Sequence, residues 1–219
     1  MKDFFKRNSP IFYIGIFVAV IFIFIIILGQ NTPNVTPNLQ AIEEKELVYE
    51  SNPVLGFKEA RVTIVEFLDY NCPSCKAVSP ALKNLIEGNK NKLRVVLKHY
   101  PLVSISGHET SYLAAQAVQA ANKFGKASEM HYALIEANEI TKEFILNTAE
   151  KSGINKDEFI KALESEEVKA EVDKDLEATK KFQVRGTPTL FINGKQIDLQ
   201  RQDLNTLVLA EINKMYPQQ

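Results

Sequence analysis

Val62-Thr63-Ile64-Val65-Glu66-Phe67-Leu68-Asp69-Tyr70-Asn71-Cys72-Pro73-Ser74-Cys75 runs from a β-branched apolar block into two cysteines, the only two in the 219-residue chain. Their spacing lets the sulfurs bond across one helical turn, and no third thiol competes. Strand followed by Cys-x-x-Cys at a helix start points to a reversible two-electron pair. A purely structural disulfide is the rival reading, but so short a loop gives a cross-link the least entropic stabilisation available. A metal site would need two further ligands. The chain has only His99, His108 and His131 to offer, widely scattered, so no metal is expected.

Working outward, Arg61 to Tyr70 reads as a buried central strand, rich in β-branched residues and continuously apolar. Pro73 suits an early helical position, where its missing N–H costs nothing. A helix is expected from Pro73 to Gly88, with Val78, Leu82, Leu85 and Ile86 inward and Pro80 kinking it. Leu93 to His99 reads as the next strand, which completes a parallel βαβ unit. From Gly107 to about Lys181 the periodicity is helical throughout. Thr141 and Asn155 stand just before acidic residues, as helix caps do. Strand character returns at Thr189–Ile192. Asn193-Gly194 signals a type I′ hairpin, Lys195 to Leu199 the return strand, and Asp203 to about Met215 a closing amphipathic helix.

The first 28 residues differ in kind. Ile11 to Leu28 is an apolar run of 18 residues, preceded by Lys2, Lys6 and Arg7 and followed by no charge until Glu43. As a helix it would span roughly 27 Å, close to a bilayer's hydrocarbon core. The flanking charges place residues 1–10 in the cytoplasm and everything after residue 28 outside, a single-pass arrangement in contact with lipid through 11–28. A cleaved signal peptide is the alternative, and it exports the domain equally; the run is long for one, and Leu28-Gly29-Gln30-Asn31 is a poor cleavage site. Residues 29–50, with Pro33 and Pro37 among polar residues, read as a linker. Without the first 28 residues the chain carries 23 basic and 26 acidic residues, with no basic run interleaved with aromatics, no Gly-rich phosphate loop and no repeat, which argues against nucleic acid as a partner.

Several side chains carry the expected chemistry. Cys72 sits where strand gives way to helix, beside unpaired N–H groups and the positive end of the helix dipole, so it should be the attackable sulfur. Cys75, one turn in, should be more buried and act as the resolving sulfur. Pro73 and Ser74 tune the balance between them. Glu66 lies six residues before Cys72, which places it on the disulfide's side of the strand. A carboxylate there is either a proton acceptor for Cys75 or an acid that reaches solvent. Thr187-Pro188 precedes the last strand pair and reads as a turn. Of the histidines, His108 and His131 are expected to cap helices or face solvent, and His99 to end a strand near the site.

Together these residues resemble the DsbA family of the thioredoxin-like superfamily. The resemblance rests on Asn52-Pro53-Val54-Leu55-Gly56 through Glu66-Phe67 to Cys72-Pro73-Ser74-Cys75, and on Gly186-Thr187-Pro188-Thr189-Leu190-Phe191-Ile192-Asn193-Gly194. It covers about residues 45 to 215 and implies an α/β thioredoxin-like fold, a central mixed sheet flanked by helices. The thioredoxin-like part would be 51–106 and 182–219, with an inserted helical domain at 107–181. It further implies that Pro188 is cis and lies against the disulfide, that Thr187 offers its backbone to a substrate chain, and that Glu66 is the family's buried acid. Ser74 departs from the histidine many members carry between the cysteines, which leaves the oxidising strength open.

The expected activity is that of an exported, membrane-tethered thiol-disulfide oxidoreductase that introduces disulfides into exported proteins. It binds no cofactor and is re-oxidised by a quinone-linked membrane partner of the DsbB type. The alternatives are a reductase or isomerase of exported protein thiols, and a tethered binding module or chaperone in which redox chemistry is incidental.

Overall fold

β2 (Val62–Leu68) is buried at all seven positions, because strands flank it on both sides and helices cover both its faces. The computed structural model describes Phe17, Val20, Phe24 and residues 41–217. Phe17, Val20 and Phe24 are helical and exposed. The rest of the expected anchor 11–28, the cytoplasmic segment 1–10 and the linker up to residue 40 lie outside the described residues. Among the described residues no helix is long and apolar enough to cross a membrane.

In chain order the elements of the body are α1 (Glu44–Leu47), β1 (Val54–Gly56), β2, α2 (Pro73–Gly88), β3 (Leu93–His99), α3 (Ser111–Asn122), α4 (Ala127–Glu136), α5 (Lys142–Lys151), α6 (Lys156–Leu163), α7 (Glu166–Lys181), β4 (Thr189–Ile192), β5 (Lys195–Gln196) and α8 (Leu204–Met215). The strands form one mixed sheet in the order β1-β3-β2-β4-β5. β2 and β3 run parallel, joined through α2, and the other three pairings are antiparallel. The helical region between β3 and β4 is the expected insertion. Three of its helices begin with side-chain caps: Thr141 accepts from the Phe144 N–H, Asn155 from Asp157 and Glu158, and Ser165 from Val168.

Alternation along β2 divides the core. Val62, Ile64 and Leu68 join the larger cluster with α2, α8 and the insertion, whereas Val65 and Phe67 join a smaller one with Leu47, Val96, Ala178, Val184 and Phe191. On the smaller side Lys98 Nζ meets Asp175 Oδ1 at 2.6 Å and lies 4.0 Å from the centre of the Tyr49 ring; both charged side chains are almost fully buried. Burial pulls the Lys98 ammonium down and pushes the Asp175 carboxyl up, and the contact between them opposes both shifts. Asp175 also accepts from the His99 N–H at 2.9 Å and from Asn52 Nδ2 at 3.3 Å, which ties α7 to β3 and to the segment before β1.

The sheet departs from the sequence reading at its margins. β1 emerges as a three-residue edge strand, and the return strand stops at Gln196 instead of Leu199. Asp198 turns the chain there: its carbonyl accepts from the Arg201 and Gln202 N–H groups and its carboxylate from that of Gln200. Within the stretch read as linker, α1 forms, with Leu47 fully buried. Asn193 and Gly194 both take positive φ, 45° and 81°, as a type I′ hairpin requires. Gly194 also accepts the Ile42 N–H at 2.9 Å, and a Cβ there would stand 1.9 Å from the Ile42 carbonyl oxygen.

Candidate active site

The chain leaves β2 at Leu68, turns through Asp69–Asn71, and enters α2 with Cys72 as its N-cap and Pro73 in the first turn. Cys72 takes extended backbone angles (φ −71°, ψ 119°), so its side chain stands at the helix mouth before the free N–H groups begin. It is 8% exposed, and its Sγ donates to the Thr187 carbonyl oxygen at 3.4 Å. Cys75 is fully buried in the larger core cluster. Both cysteines are free thiols. Pro73 and Ser74 between them are exposed. Helix α2 runs on through Pro80 to Gly88.

The Thr187–Pro188 bond is cis, and both residues are half-buried beside Cys72. Thr187 thus presents its carbonyl to the Cys72 sulfur, while its Oγ1 is buried.

Glu66 is 2% exposed and makes no side-chain hydrogen bond or ion pair among the described residues. Burial alone pushes its carboxyl up to about 8, so it is a neutral acid at moderate pH. The same effect, reinforced by the Glu66 charge, pushes the Cys75 thiol far up. A buried Cys75 thiolate is therefore costly, and a proton must reach that sulfur whenever its bond to Cys72 opens.

Around these groups lies a set of buried polar side chains. Tyr70, on the same side as Cys75 in the larger cluster, places its hydroxyl 3.2 Å from His131 Nδ1, and its ring centre is 6.0 Å from that of His99. Burial drives both histidines down to about 3, with Lys98 adding to the effect on His99, so both are neutral. His131 is 3% exposed, a correction to the expectation that it caps a helix or faces solvent: it lies on the inner face of α4 and is held by Tyr70. His108 neither caps a helix nor stands free in solvent. Its Nδ1 lies 2.9 Å from Asp69 Oδ2. His99, at the end of β3, is fully buried with both ring nitrogens unpartnered among the described residues. Among these residues no group of three or more potential metal ligands gathers.

The sign of the Glu66 shift gives a direct test. The folded protein keeps that proton up to about pH 8, whereas the unfolded chain releases it near the ordinary value of 4.5. Between those limits the native state binds the extra proton, so stability falls as pH rises through the window and levels off above it. Glu66→Gln is expected to flatten this slope. In urea unfolding of the dithiol form, the variant's midpoint should change less than the wild type's between about pH 5 and about pH 8.5, and should lie higher at the upper end.

A dithiol pair at a helix mouth, one sulfur against the carbonyl of the residue before a cis-proline, and a buried acid on the strand that leads to the pair belong together in the thioredoxin architecture. The thioredoxin family matches residues 49–209, and the chain belongs to that family, in its DsbA-like branch. Disulfide bond formation protein D of Bacillus subtilis is 30% identical over 163 residues, covering 68% of this chain and 70% of that protein. Na(+)/H(+) antiporter NhaA 3 of Salinispora tropica is 33% identical over 144 residues, covering 65% of this chain but 22% of the antiporter, so the chain spans about a fifth of that relative. Among solved structures, a thioredoxin-like oxidoreductase from Silicibacter pomeroyi DSS-3 shares 26% identity at a TM-score of 0.67, covering 81% of this chain and 100% of that one.

Proposed function

We propose that the chain is an exported, membrane-tethered oxidase that introduces disulfides into exported proteins through a reversible Cys72–Cys75 bond. The observation that carries this reading is the asymmetry of the pair. One sulfur stands at the helix mouth, 3.4 Å from the Thr187 carbonyl, and the other is sealed in the core near a protonated acid. A substrate thiolate attacks Cys72 Sγ, the S–S bond breaks, and its electron pair leaves on Cys75. Glu66 gives its proton to that sulfur and recovers one from water. The substrate's second thiolate then displaces Cys72, which takes a proton from water, so the substrate leaves as a disulfide and the enzyme holds both electrons and two protons. Thr187 and Pro188 align the substrate chain along the Cys72 face, and the exposed Pro73 and Ser74 set how readily the pair accepts electrons.

A membrane partner, quinone-linked as in DsbB-type systems, re-oxidises the pair. The sulfurs carry the electrons, so the scheme needs no bound cofactor. The relative named disulfide bond formation protein D supports the oxidising direction, and the apolar stretch 11–28 supports the tether.

The test is a reduction potential measured against glutathione, together with oxidative refolding of a reduced substrate protein. A potential near that of DsbA, about −120 mV, with catalysed refolding supports an oxidase. A potential near thioredoxin's, about −270 mV, without refolding activity would replace it with a reductase.

A further inference from the structure

One buried carboxylate accounts for the shape of the turn that delivers Cys72. Asp69 is 1% exposed and accepts four hydrogen bonds. Oδ1 takes the Asn71 N–H at 2.7 Å and the Ser111 hydroxyl at 2.7 Å. Oδ2 takes the Leu102 N–H at 2.8 Å and the His108 Nδ1–H at 2.9 Å. The carbonyl of the same residue accepts the Cys72 N–H at 3.1 Å. Asn71 adds bonds from its amide to Thr110 Oγ1 and Ser111 Oγ, at 3.1 and 3.0 Å. Three chain segments, the turn at 69–72, the loop after β3 and the start of α3, thus converge on one side chain.

We propose that Asp69 is the positioning residue of the redox centre: it holds Cys72 in its N-cap conformation at the mouth of α2 and thereby favours the dithiol form of the pair. The inference rests on the reading of Cys72 as the attacked sulfur. Its physical basis is the hydrogen bond from the Cys72 thiol to the Thr187 carbonyl oxygen at 3.4 Å, which forms only while the sulfur is held against that oxygen. In the disulfide form that bond is absent, because the sulfur carries no proton. A residue that merely supports the fold would stabilise both forms alike. A residue that positions Cys72 shifts the balance between them.

The carboxylate cannot be replaced by its amide. Each oxygen serves one backbone N–H, Asn71 on one side and Leu102 on the other. An asparagine offers one oxygen and one NH2 group, so in either orientation a buried backbone donor faces another donor.

The experiment uses the full chain in detergent and equilibrates it with glutathione. Two glutathione thiols give two electrons and two protons to the Cys72–Cys75 disulfide and leave as glutathione disulfide. For Asp69→Asn, with folding checked by circular dichroism, the equilibrium constant is expected to shift about two- to fivefold toward the protein disulfide. Exchange at Cys72 should slow as well. A folded Asp69→Asn variant with wild-type equilibrium and rate overturns the proposal. Should that variant fail to fold, Ser111→Ala and His108→Ala, which remove one donor from each oxygen, decide instead: a smaller shift in the same direction supports the proposal, and none in either variant overturns it. Failure of the wild type to oxidise a reduced protein would count against the oxidase reading and leave this equilibrium test intact.

Discussion

Cys72→Ser is expected to abolish oxidation of reduced substrate proteins, while Cys75→Ser is expected to be trapped as an adduct when mixed with a disulfide-bonded protein. The two sulfurs differ in what reaches them. Cys72 is the one with a solvent path, at a helix mouth and beside the Thr187 carbonyl, so removing its sulfur removes the point of attack. Cys75 is sealed, and it acts only on the bond that Cys72 has formed. With serine at 75, the Cys72 thiol can still attack a disulfide of another protein, forming a mixed disulfide as that protein's second sulfur leaves as a thiol, but no second sulfur of the enzyme is there to release it. Oxidative refolding of a reduced test protein measures the first effect, and reductant-sensitive adducts on denaturing gels measure the second. A Cys72→Ser protein that refolds substrate at the wild-type rate, or a Cys75→Ser protein free of adducts, would mean that the chemistry does not run through this pair.

The second large effect lies on the opposite face of the sheet. Asp175→Ala is expected to cost about 3–5 kcal/mol of stability, because it strands the Lys98 ammonium with no counter-ion in a fully buried position. It also frees the His99 N–H and the Asn52 amide, both of which donate to that carboxylate. The double replacement Lys98→Met with Asp175→Leu should recover much of the loss, since a buried ion pair exchanged for apolar groups of similar volume is often close to neutral. Guanidinium unfolding of the wild type and the two variants gives the three midpoints to compare. If Asp175→Ala alone unfolded at the wild-type midpoint, the pair would hold no stability of this kind.

Local chemistry explains which parts of this molecule are readable from its residues. α2 and β3 fall on the boundaries that Pro73, Gly88 and the block Leu93–His99 announce, because Pro at a helix start and a β-branched run are properties of neighbours in sequence. The hairpin is legible for the same reason, since Asn193-Gly194 meets a backbone demand made on those two residues alone. β1 is three residues between Pro53 and Gly56, too short for any alternation to show. At the site, the cysteines and the Thr-Pro dipeptide carry their signal in their spacing and in the family resemblance. Asp69 carries none, because its partners come from positions 71, 102, 108 and 111 and converge only when β3 has paired with β2. His131 is misread for a related reason: its partner Tyr70 lies 61 positions away, and a histidine on a helix looks like a surface residue until the opposite wall is known.

The close fit of Ile42 against Gly194 has a mechanical consequence. In the pairing of β2 with β4, Thr189 stands opposite Phe67 and Ile192 opposite Ile64, so the hairpin after Ile192 sits at the end of the sheet remote from Cys72. The chain therefore joins the body at its rear, clasped there by a hydrogen bond and by a glycine that leaves no room for a side chain. Strain at that contact falls on the hairpin and on the far ends of β2 and β4, away from Cys72.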